Sequence, residues 1–138
     1  MDHLPVILVV EDNEDDQRIA LRALSKGKVA CRVEIAEDGM EAVNYLFNPA
    51  NVVPRFVLLD LKLPKLNGIE LLKRIRGDER TRRLPVVIHT SSSVDSDLVH
   101  CFDNGANSFV RKMVDFDEYM HRLSVVAEYW IQINEPCP

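Results

Sequence analysis

The segment RFVLLDLKLPKLNG, residues 55–68, places a single acid at the end of an apolar run. Residues 56–59 are four consecutive apolar residues, a pattern typical of a strand buried on both faces of a parallel sheet. Asp60 follows directly, and the later Asn67–Gly68 pair predicts a turn into a helix. The segment therefore predicts a central strand that presents one carboxylate at its carboxyl end.

Short apolar runs and helical patterns alternate along the whole chain. Strands are predicted for residues 4–10, 31–36, 55–60, 84–90 and 107–112, and helices for residues 14–27, 38–48, 67–78, 95–106 and 115–134. This alternation predicts a parallel sheet with helices on both faces. Right-handed crossovers leave few topologies, so we expect the flavodoxin-like, doubly wound α/β fold with five helices and strand order 2-1-3-4-5.

Length and composition predict one soluble domain spanning residues 1–138, with a long last helix and a short tail in residues 115–138. No apolar run approaches the ~20 residues of a membrane span, and the first residues lack the basic region of a signal peptide. We therefore expect a cytoplasmic protein. The net charge of −5 argues against nonspecific nucleic-acid binding, which requires a basic face.

Polar residues stand at the carboxyl ends of four predicted strands. They are Glu11 and Asp12 after the first strand, Asp60 at the third, Thr90 at the fourth and Lys112 at the fifth. In open α/β sheets the ligand crevice lies at these strand ends, so we expect the five side chains to meet there.

The three carboxylates at this edge repel one another, so the sequence predicts that a cation or a proton is bound among them. A pair of carboxylates ~4 Å apart costs about 4 kcal/mol at an effective dielectric of ~20. Either one acid takes up a proton, or a cation lies among them, and oxygen ligands suit Mg²⁺. With a lysine and a hydroxyl, the set suits phosphoryl chemistry. Asp60 is the natural acceptor, because a carboxylate can form an aspartyl-phosphate.

The residues alone leave three functions open: a phosphoacceptor switch, a Mg²⁺-dependent phosphotransferase or phosphatase, and a flavodoxin-like cofactor carrier. An enzyme with an aspartyl intermediate often needs a second acid two residues after the nucleophile, where this chain has Lys62. Three acids at the strand ends oppose a phosphate-bearing cofactor unless a metal intervenes. The switch is therefore favoured.

Four motifs, each following an apolar strand, resemble the receiver domain of two-component response regulators. They are VVEDNEDD (9–16), DLKLPKLNG (60–68), PVVIHTSS (85–92) and GANSFVRK (105–112). The resemblance implies that Asp60 is the phosphoacceptor and that a magnesium ion is bound by Glu11, Asp12, Asp60 and the backbone carbonyl of Lys62.

The same resemblance implies roles for the remaining residues of the crevice. Thr90 would hydrogen-bond a phosphoryl oxygen, Lys112 would pair with the phosphate, and Phe109 would be the switch aromatic that follows Thr90. Lys62 and Ser92 would tune the lifetime of the phosphoryl group. Phosphorylation would then shift the population of states of the face formed by the fourth helix, fifth strand and fifth helix.

A narrower resemblance concerns GANSFVRKMVDFDEY and the ending EYWIQINEPCP, which are similar to stand-alone regulators paired with bacterial phytochromes. It implies a sensor histidine kinase as partner, for instance a phytochrome, and no DNA-binding output domain. The apolar pattern of the last helix covers about five turns, more than a five-stranded sheet requires at ~1.5 Å per residue. We therefore expect a homodimer through the C-terminal helix and the face formed by the fourth helix, fifth strand and fifth helix.

Two positions carry open alternatives. The family usually has a proline after the lysine, often with a cis peptide, but this chain has Met113. A cis bond before a non-proline residue costs ~2.5–4 kcal/mol, so either the bond is trans and the loop differs, or strain is retained. His89 either lines the site or has a structural role, and the structural role is favoured.

Overall fold

The computed structural model describes residues 4–138, which form one five-stranded parallel sheet with helices on both sides. The strands are β1 Val6–Val10, β2 Arg32–Ala36, β3 Phe56–Leu59, β4 Val86–Thr90 and β5 Ser108–Arg111. The helices are α1 Glu14–Ser25, α2 Gly39–Leu46, α3 Gly68–Gly77, α4 Asp95–Asp103 and α5 Phe116–Glu128. The strand order is β2-β1-β3-β4-β5, which confirms the predicted flavodoxin-like α/β fold.

The continuous apolar runs form the three central strands. Every residue of β1, β3 and β4 is buried, whereas the edge strands β2 and β5 are partly exposed. Successive side chains alternate between the two faces of the sheet. Val57 and Leu59 pack in the core under α2 and α3, while Leu58 packs in the core under α1 and α5. This burial on both faces holds the carboxyl end of β3 in a fixed position.

Polar residues cap the amino ends of four helices in the described part of the chain. The side chains of Asn13, Asp38, Asn67 and Asp115 each accept a hydrogen bond from a backbone N–H three residues later. Such a cap stabilises a helix by about 1 kcal/mol relative to alanine. Asp115, the first residue of the last predicted helix, is thus the N-cap of α5.

Some predicted helices are longer than the observed ones. The fourth was expected to reach residue 106 but ends at Asp103, because Asn104 and Gly105 form a turn in which Gly105 has φ +94°. The first was expected to reach Gly27 and ends at Ser25. Each helix ends two residues before a glycine, Gly27 or Gly105, so the predicted ranges include the residues that close the helices.

The last predicted helix, 115–134, consists of two parts. Helix α5 ends at Glu128, and a π-helical turn, Tyr129–Ile133, continues it. The wider turn is closed by Asn134 N–H donating to Tyr129 O at 2.6 Å, and Arg55 Nη1 donates to Ile131 O at 3.0 Å. Tyr129 and Ile133 are exposed, whereas Trp130 packs against the core. Within residues 4–138, no helix is long and apolar enough to cross a membrane.

Candidate functional site

The parallel register brings the predicted acids together at the carboxyl edge of the sheet. Val10 of β1 pairs with Leu59 of β3, so the residues that follow them, Glu11 and Asp60, become neighbours. One carboxylate oxygen from each of Glu11, Asp12 and Asp60 lies within 4.8 Å of the other two. Glu11 and Asp60 are buried, whereas Asp12 is exposed at the rim. The three acids therefore form one cluster that is open to solvent on one side.

Lys112 reaches into this cluster from the end of β5. Its Nζ lies 2.7 Å from Glu11 Oε1, 3.0 Å from Asp60 Oδ2 and 2.9 Å from Asp16 Oδ2. The backbone N–H of Lys112 donates to Thr90 O at 2.8 Å, which extends the β4–β5 pairing to the site. An ammonium group has three N–H donors, and a separate carboxylate is available for each.

Carboxylates outnumber ammonium groups in this cluster, because Glu11, Asp12, Asp16 and Asp60 surround the ammonium of Lys112. Burial raises the pKa of Glu11 to about 7, the lysine contact opposes that rise, and the nearby Asp60 charge adds to it. Burial opposes the charge on Lys112, but hydrogen bonds to Glu11 and Asp16 outweigh it and raise the pKa of Lys112 above its usual range. Hard oxygen ligands with excess negative charge suit a divalent cation such as Mg²⁺ or Mn²⁺.

The loop after Asp60 is held close to the site by its backbone. Lys62 N–H donates to Asp60 Oδ1 at 3.3 Å, while the Lys62 side chain is exposed. Gly68 N–H donates to Leu61 O at 3.0 Å. A Cβ atom on Gly68 would lie 2.6 Å from the Asp60 carbonyl oxygen and 2.7 Å from Leu61 Cα, so only glycine fits at this approach. The metal role predicted for the Lys62 carbonyl stays a prediction.

Thr90 and Ser92 order the loop between β4 and α4. Thr90 is fully buried, and its Oγ1 accepts a hydrogen bond from Ser92 N–H at 3.5 Å. Ser92 Oγ donates to Asp97 Oδ2 at 2.5 Å, which ties the loop to the first turn of α4. Phe109 on β5 is partly buried and packs against the core cluster to which α2, α3 and α4 contribute. The structure thus places both predicted switch residues at adjacent strands, and their switching roles stay predictions.

Asp16 and Tyr119 belong to the site although the sequence did not identify them. Tyr119 O–H donates to Asp16 Oδ1 at 3.0 Å, and the Tyr119 ring meets the His89 ring edge-on at 5.1 Å. In the sequence, Asp16 is one of several acids at a helix start, and Tyr119 is part of an apolar stripe. The one sequence feature that could have pointed to Asp16 is its spacing. It lies four residues after Asp12, about one helical turn, and so faces the same crevice.

His89 is buried against Tyr119, as its favoured structural role requires, and it also borders the small crevice lined by Glu11, Asp16 and Asp60. Burial and the nearby Lys112 charge lower the pKa of His89 to about 4, against the opposing effect of the acids. The imidazole is therefore neutral near pH 7.

The peptide bond between Lys112 and Met113 is trans, as are all others in residues 4–138. Of the two bond geometries considered from the sequence, trans is the one observed. Met113 packs against the core on the α1 and α5 side, and Lys112 still reaches Asp60.

This fold and this cluster of acids with a lysine define a receiver domain, and comparison with known families agrees. The response regulator receiver domain family matches residues 7–124. The chain therefore belongs to the response regulator receiver domain family. It is 37% identical over 132 residues to a probable methanogenesis regulatory protein, FilR2 of Methanothrix harundinacea, covering 94% of this chain and 85% of that protein.

Solved structures of phytochrome response regulators are also similar. The phosphorylated cyanobacterial phytochrome response regulator RcpA has a TM-score of 0.92 and 31% identity, covering 98% of this chain and 99% of its own. The bacteriophytochrome response regulator AtBRR has a TM-score of 0.75 and 40% identity, covering 97% of this chain and 100% of its own. The Mn²⁺-bound form of Rcp1 has a TM-score of 0.89 and 26% identity, covering 97% of this chain and 99% of its own. Receiver domains bind a divalent metal, and the acid cluster of this chain is consistent with that property.

Proposed function

We propose that this protein is a phosphoacceptor switch, which takes a phosphoryl group from a sensor histidine kinase onto Asp60. The observation that carries the proposal is the position of the Asp60 carboxylate. It is buried at the end of the central strand, 3.0 Å from Lys112 Nζ and within 4.8 Å of two further acids. In the reaction an Asp60 carboxylate oxygen forms an O–P bond as the N–P bond of a kinase phosphohistidine breaks, and the N–P bonding electron pair stays on the nitrogen of the departing imidazole.

Mg²⁺ is the cation that this reaction would use. Its ligands would be Glu11, Asp12, Asp60 and the backbone carbonyl of Lys62, and it would neutralise charge on the phosphoryl oxygens. Lys112 would donate to a second phosphoryl oxygen. The excess of carboxylates over ammonium groups supports this assignment, because a dication offsets the repulsion among them.

Thr90 and Phe109 would carry the switch. The Thr90 hydroxyl, which accepts from Ser92 N–H at 3.5 Å, would turn to donate to a phosphoryl oxygen. Phe109 would then change its packing and shift the face built from α4, β5 and α5 towards its active arrangement. Lys62 and Ser92, at the mouth of the site, would set how fast water reaches the phosphoryl group.

The kinase partner would be a cytoplasmic sensor, with a bacterial phytochrome as the first candidate. The likeness to RcpA and AtBRR supports that candidate. FilR2, a probable methanogenesis regulatory protein, is also similar to this chain, so a kinase of another kind is the second candidate. Residues 1–138 would form one receiver domain that acts by protein contact. A homodimer would use the α4-β5-α5 face and the C-terminal helix, where exposed apolar side chains include Val99, Phe102, Val125, Tyr129 and Ile133.

Phosphorylation of purified protein by phosphoramidate and Mg²⁺ tests the proposal. Intact mass should rise by one phosphoryl group in the wild type and in Asp78→Asn, an exposed control, and it should not rise in Asp60→Asn. The modification should be lost in base, as expected for an acyl phosphate. Equal labelling of Asp60→Asn would overturn the assignment of Asp60.

A further inference from the structure

The three carboxylates around Lys112 have different further partners. Glu11 and Asp60 are proposed ligands of the metal, and Asp60 is also the proposed phosphoacceptor. A bound cation would therefore compete with Lys112 for their oxygens. Asp16, at 2.9 Å from Nζ, lies outside the group of acids that converge on a candidate metal position. Of the three partners of Lys112, Asp16 is the one that neither the metal nor the phosphoryl group would take.

Asp16 is itself held by helix α5. Its Oδ2 accepts from Lys112, and its Oδ1 accepts from the Tyr119 hydroxyl at 3.0 Å. Because each oxygen has its own donor, the carboxylate cannot rotate without losing a hydrogen bond. Tyr119 is buried, and its ring packs edge-on against His89, which fixes the hydroxyl. Burial and the Asp16 charge raise the pKa of Tyr119, so the hydroxyl remains a donor near neutral pH.

Resting on the proposed function, we propose that Asp16, oriented by Tyr119, is a positioning residue that holds the Lys112 ammonium in place for the phosphoryl group on Asp60. With Glu11 and Asp60 engaged as metal ligands, the N–H groups that Lys112 directs at them would be free to donate to phosphoryl oxygens. The remaining hydrogen bond to Asp16 then keeps the ammonium within reach. Displacement of such a group by about 1 Å can slow a reaction by as much as ~10²-fold.

Two substitutions with matched controls isolate this effect. Tyr119→Phe removes the hydroxyl but keeps the ring and the net charge, and Asp16→Asn removes one acceptor charge. Tyr45→Phe is the control for the first, because the buried Tyr45 hydroxyl has no hydrogen-bond partner within residues 4–138. Asp15→Asn is the control for the second, since Asp15 is exposed and pairs with the surface residue Arg18, at 3.4 Å.

Two measurements, made on the full chain in the presence of Mg²⁺, are sensitive to the position of the Lys112 ammonium. The first is the rate constant of phosphorylation by phosphoramidate, followed by intact mass. The second is the ¹⁹F NMR spectrum of the beryllium trifluoride adduct of Asp60, in which one fluorine stands for the phosphoryl oxygen that accepts from Lys112. We expect phosphorylation to slow about tenfold in Asp16→Asn and several-fold in Tyr119→Phe. The resonance of that fluorine should shift in both, while Tyr45→Phe and Asp15→Asn should match the wild type.

A purely structural role would lower the free energy of unfolding without moving either readout. The inference is therefore overturned if both variants are labelled at the wild-type rate, or faster, with unchanged ¹⁹F resonances, whatever their stability. Failure of the wild type itself to be labelled would instead refute the proposed function.

Discussion

Lys112 Nζ lies 3.0 Å from Asp60 Oδ2, although 52 residues separate the two along the chain. The contact forms with a trans peptide after Lys112, so a cis bond at this loop is not required for it. The strand register supplies the approach, because β5 pairs with β4 and β4 pairs with β3. The carboxylate of Asp60 and the ammonium of Lys112 therefore meet at the carboxyl edge of the sheet.

Replacement of Lys112 by methionine should destabilise the metal-free protein. The lysine side chain is only 10% exposed, and its removal leaves Glu11 and Asp60 buried without a counter-ion. We expect a loss of about 3 kcal/mol in the free energy of unfolding, measured by urea denaturation. Mg²⁺ should restore part of it. Lys73→Met removes an exposed pair with Glu70 at 3.6 Å and should change stability by less than about 0.5 kcal/mol. Equal losses in the two variants would contradict the counter-ion role.

Mg²⁺ should stabilise the wild type through the acid cluster. A ligand that binds the folded state at ten times its Kd adds about 1.4 kcal/mol. Removal of the metal with a chelator should reverse the gain, seen as a fall in Tm. Asp12→Asn should lose most of the effect, because Asp12 is one of three acids within 4.8 Å. Glu14→Gln, an exposed acid on α1, should keep it. Full stabilisation of Asp12→Asn would exclude that residue as a ligand.

Alanine at residue 68 should damage the site. Its Cβ would lie 2.6 Å from the Asp60 carbonyl oxygen and 2.7 Å from Leu61 Cα, both backbone atoms that must then move. We expect a loss of about 1–3 kcal/mol in unfolding free energy and slower phosphorylation of Asp60. Gly77→Ala is the matched control, since a methyl group there would have nothing within 4 Å and alanine is the better helix former. A fully active Gly68→Ala protein would show that the loop adapts without cost.

Stability should fall in acid through His89. The folded-state pKa of about 4 lies below the ordinary 6.5, so the unfolded chain binds more protons between these values and stability declines as pH falls through that window. The full decline from this group is about 3 kcal/mol. The positive charge of Lys112 opposes protonation of His89, whereas the negative charges of Asp16 and Asp60 favour it. The Tyr119 hydroxyl, which also faces the ring, is neutral.

His89→Phe isolates this contribution, because phenylalanine keeps a ring against Tyr119 but does not titrate. Urea unfolding at pH 7.5 and pH 5 should show a smaller loss of stability for the variant than for the wild type. Comparison of the two proteins cancels Glu11, whose raised pKa acts in the opposite direction, since its stabilising proton is lost as pH rises towards 7. Identical pH dependence would mean that His89 protonates without cost in the folded protein.

The proposed dimer should depend on the apolar surface of α4 and the C-terminal turn. Phe102 is 48% exposed and Ile133 is 63% exposed, and a charge at either position opposes burial in an interface. We expect Phe102→Glu to shift the molecular mass from light scattering towards the monomer. Val52→Glu, at an exposed valine in the α2–β3 loop, should not. A monomeric wild type at all concentrations would remove the dimer from the proposal.

Much of the fold and the acid cluster followed from local sequence patterns. Continuous apolar runs indicated buried parallel strands, and the residue after each run was placed at the same edge of the sheet. Glu11, Asp12 and Asp60 could thus be brought together from the residue order alone, because the ends of parallel strands in a doubly wound sheet converge. Helix ends and the π-helical turn were less predictable, since they depend on tertiary contacts such as the hydrogen bond from the Arg55 side chain to the Ile131 carbonyl.

The chain order of apolar and polar residues was enough to place Asp60 on a rigid central strand and to give the receiver fold. The Asp16–Tyr119 hydrogen bond, between residues 103 positions apart, could not be found that way. It exists because α1 and α5 pack on the same face of the sheet, which brings one acid of a charged run beside one aromatic of an apolar stripe. Neither residue type is informative alone, and their distance is set by packing rather than by any local pattern.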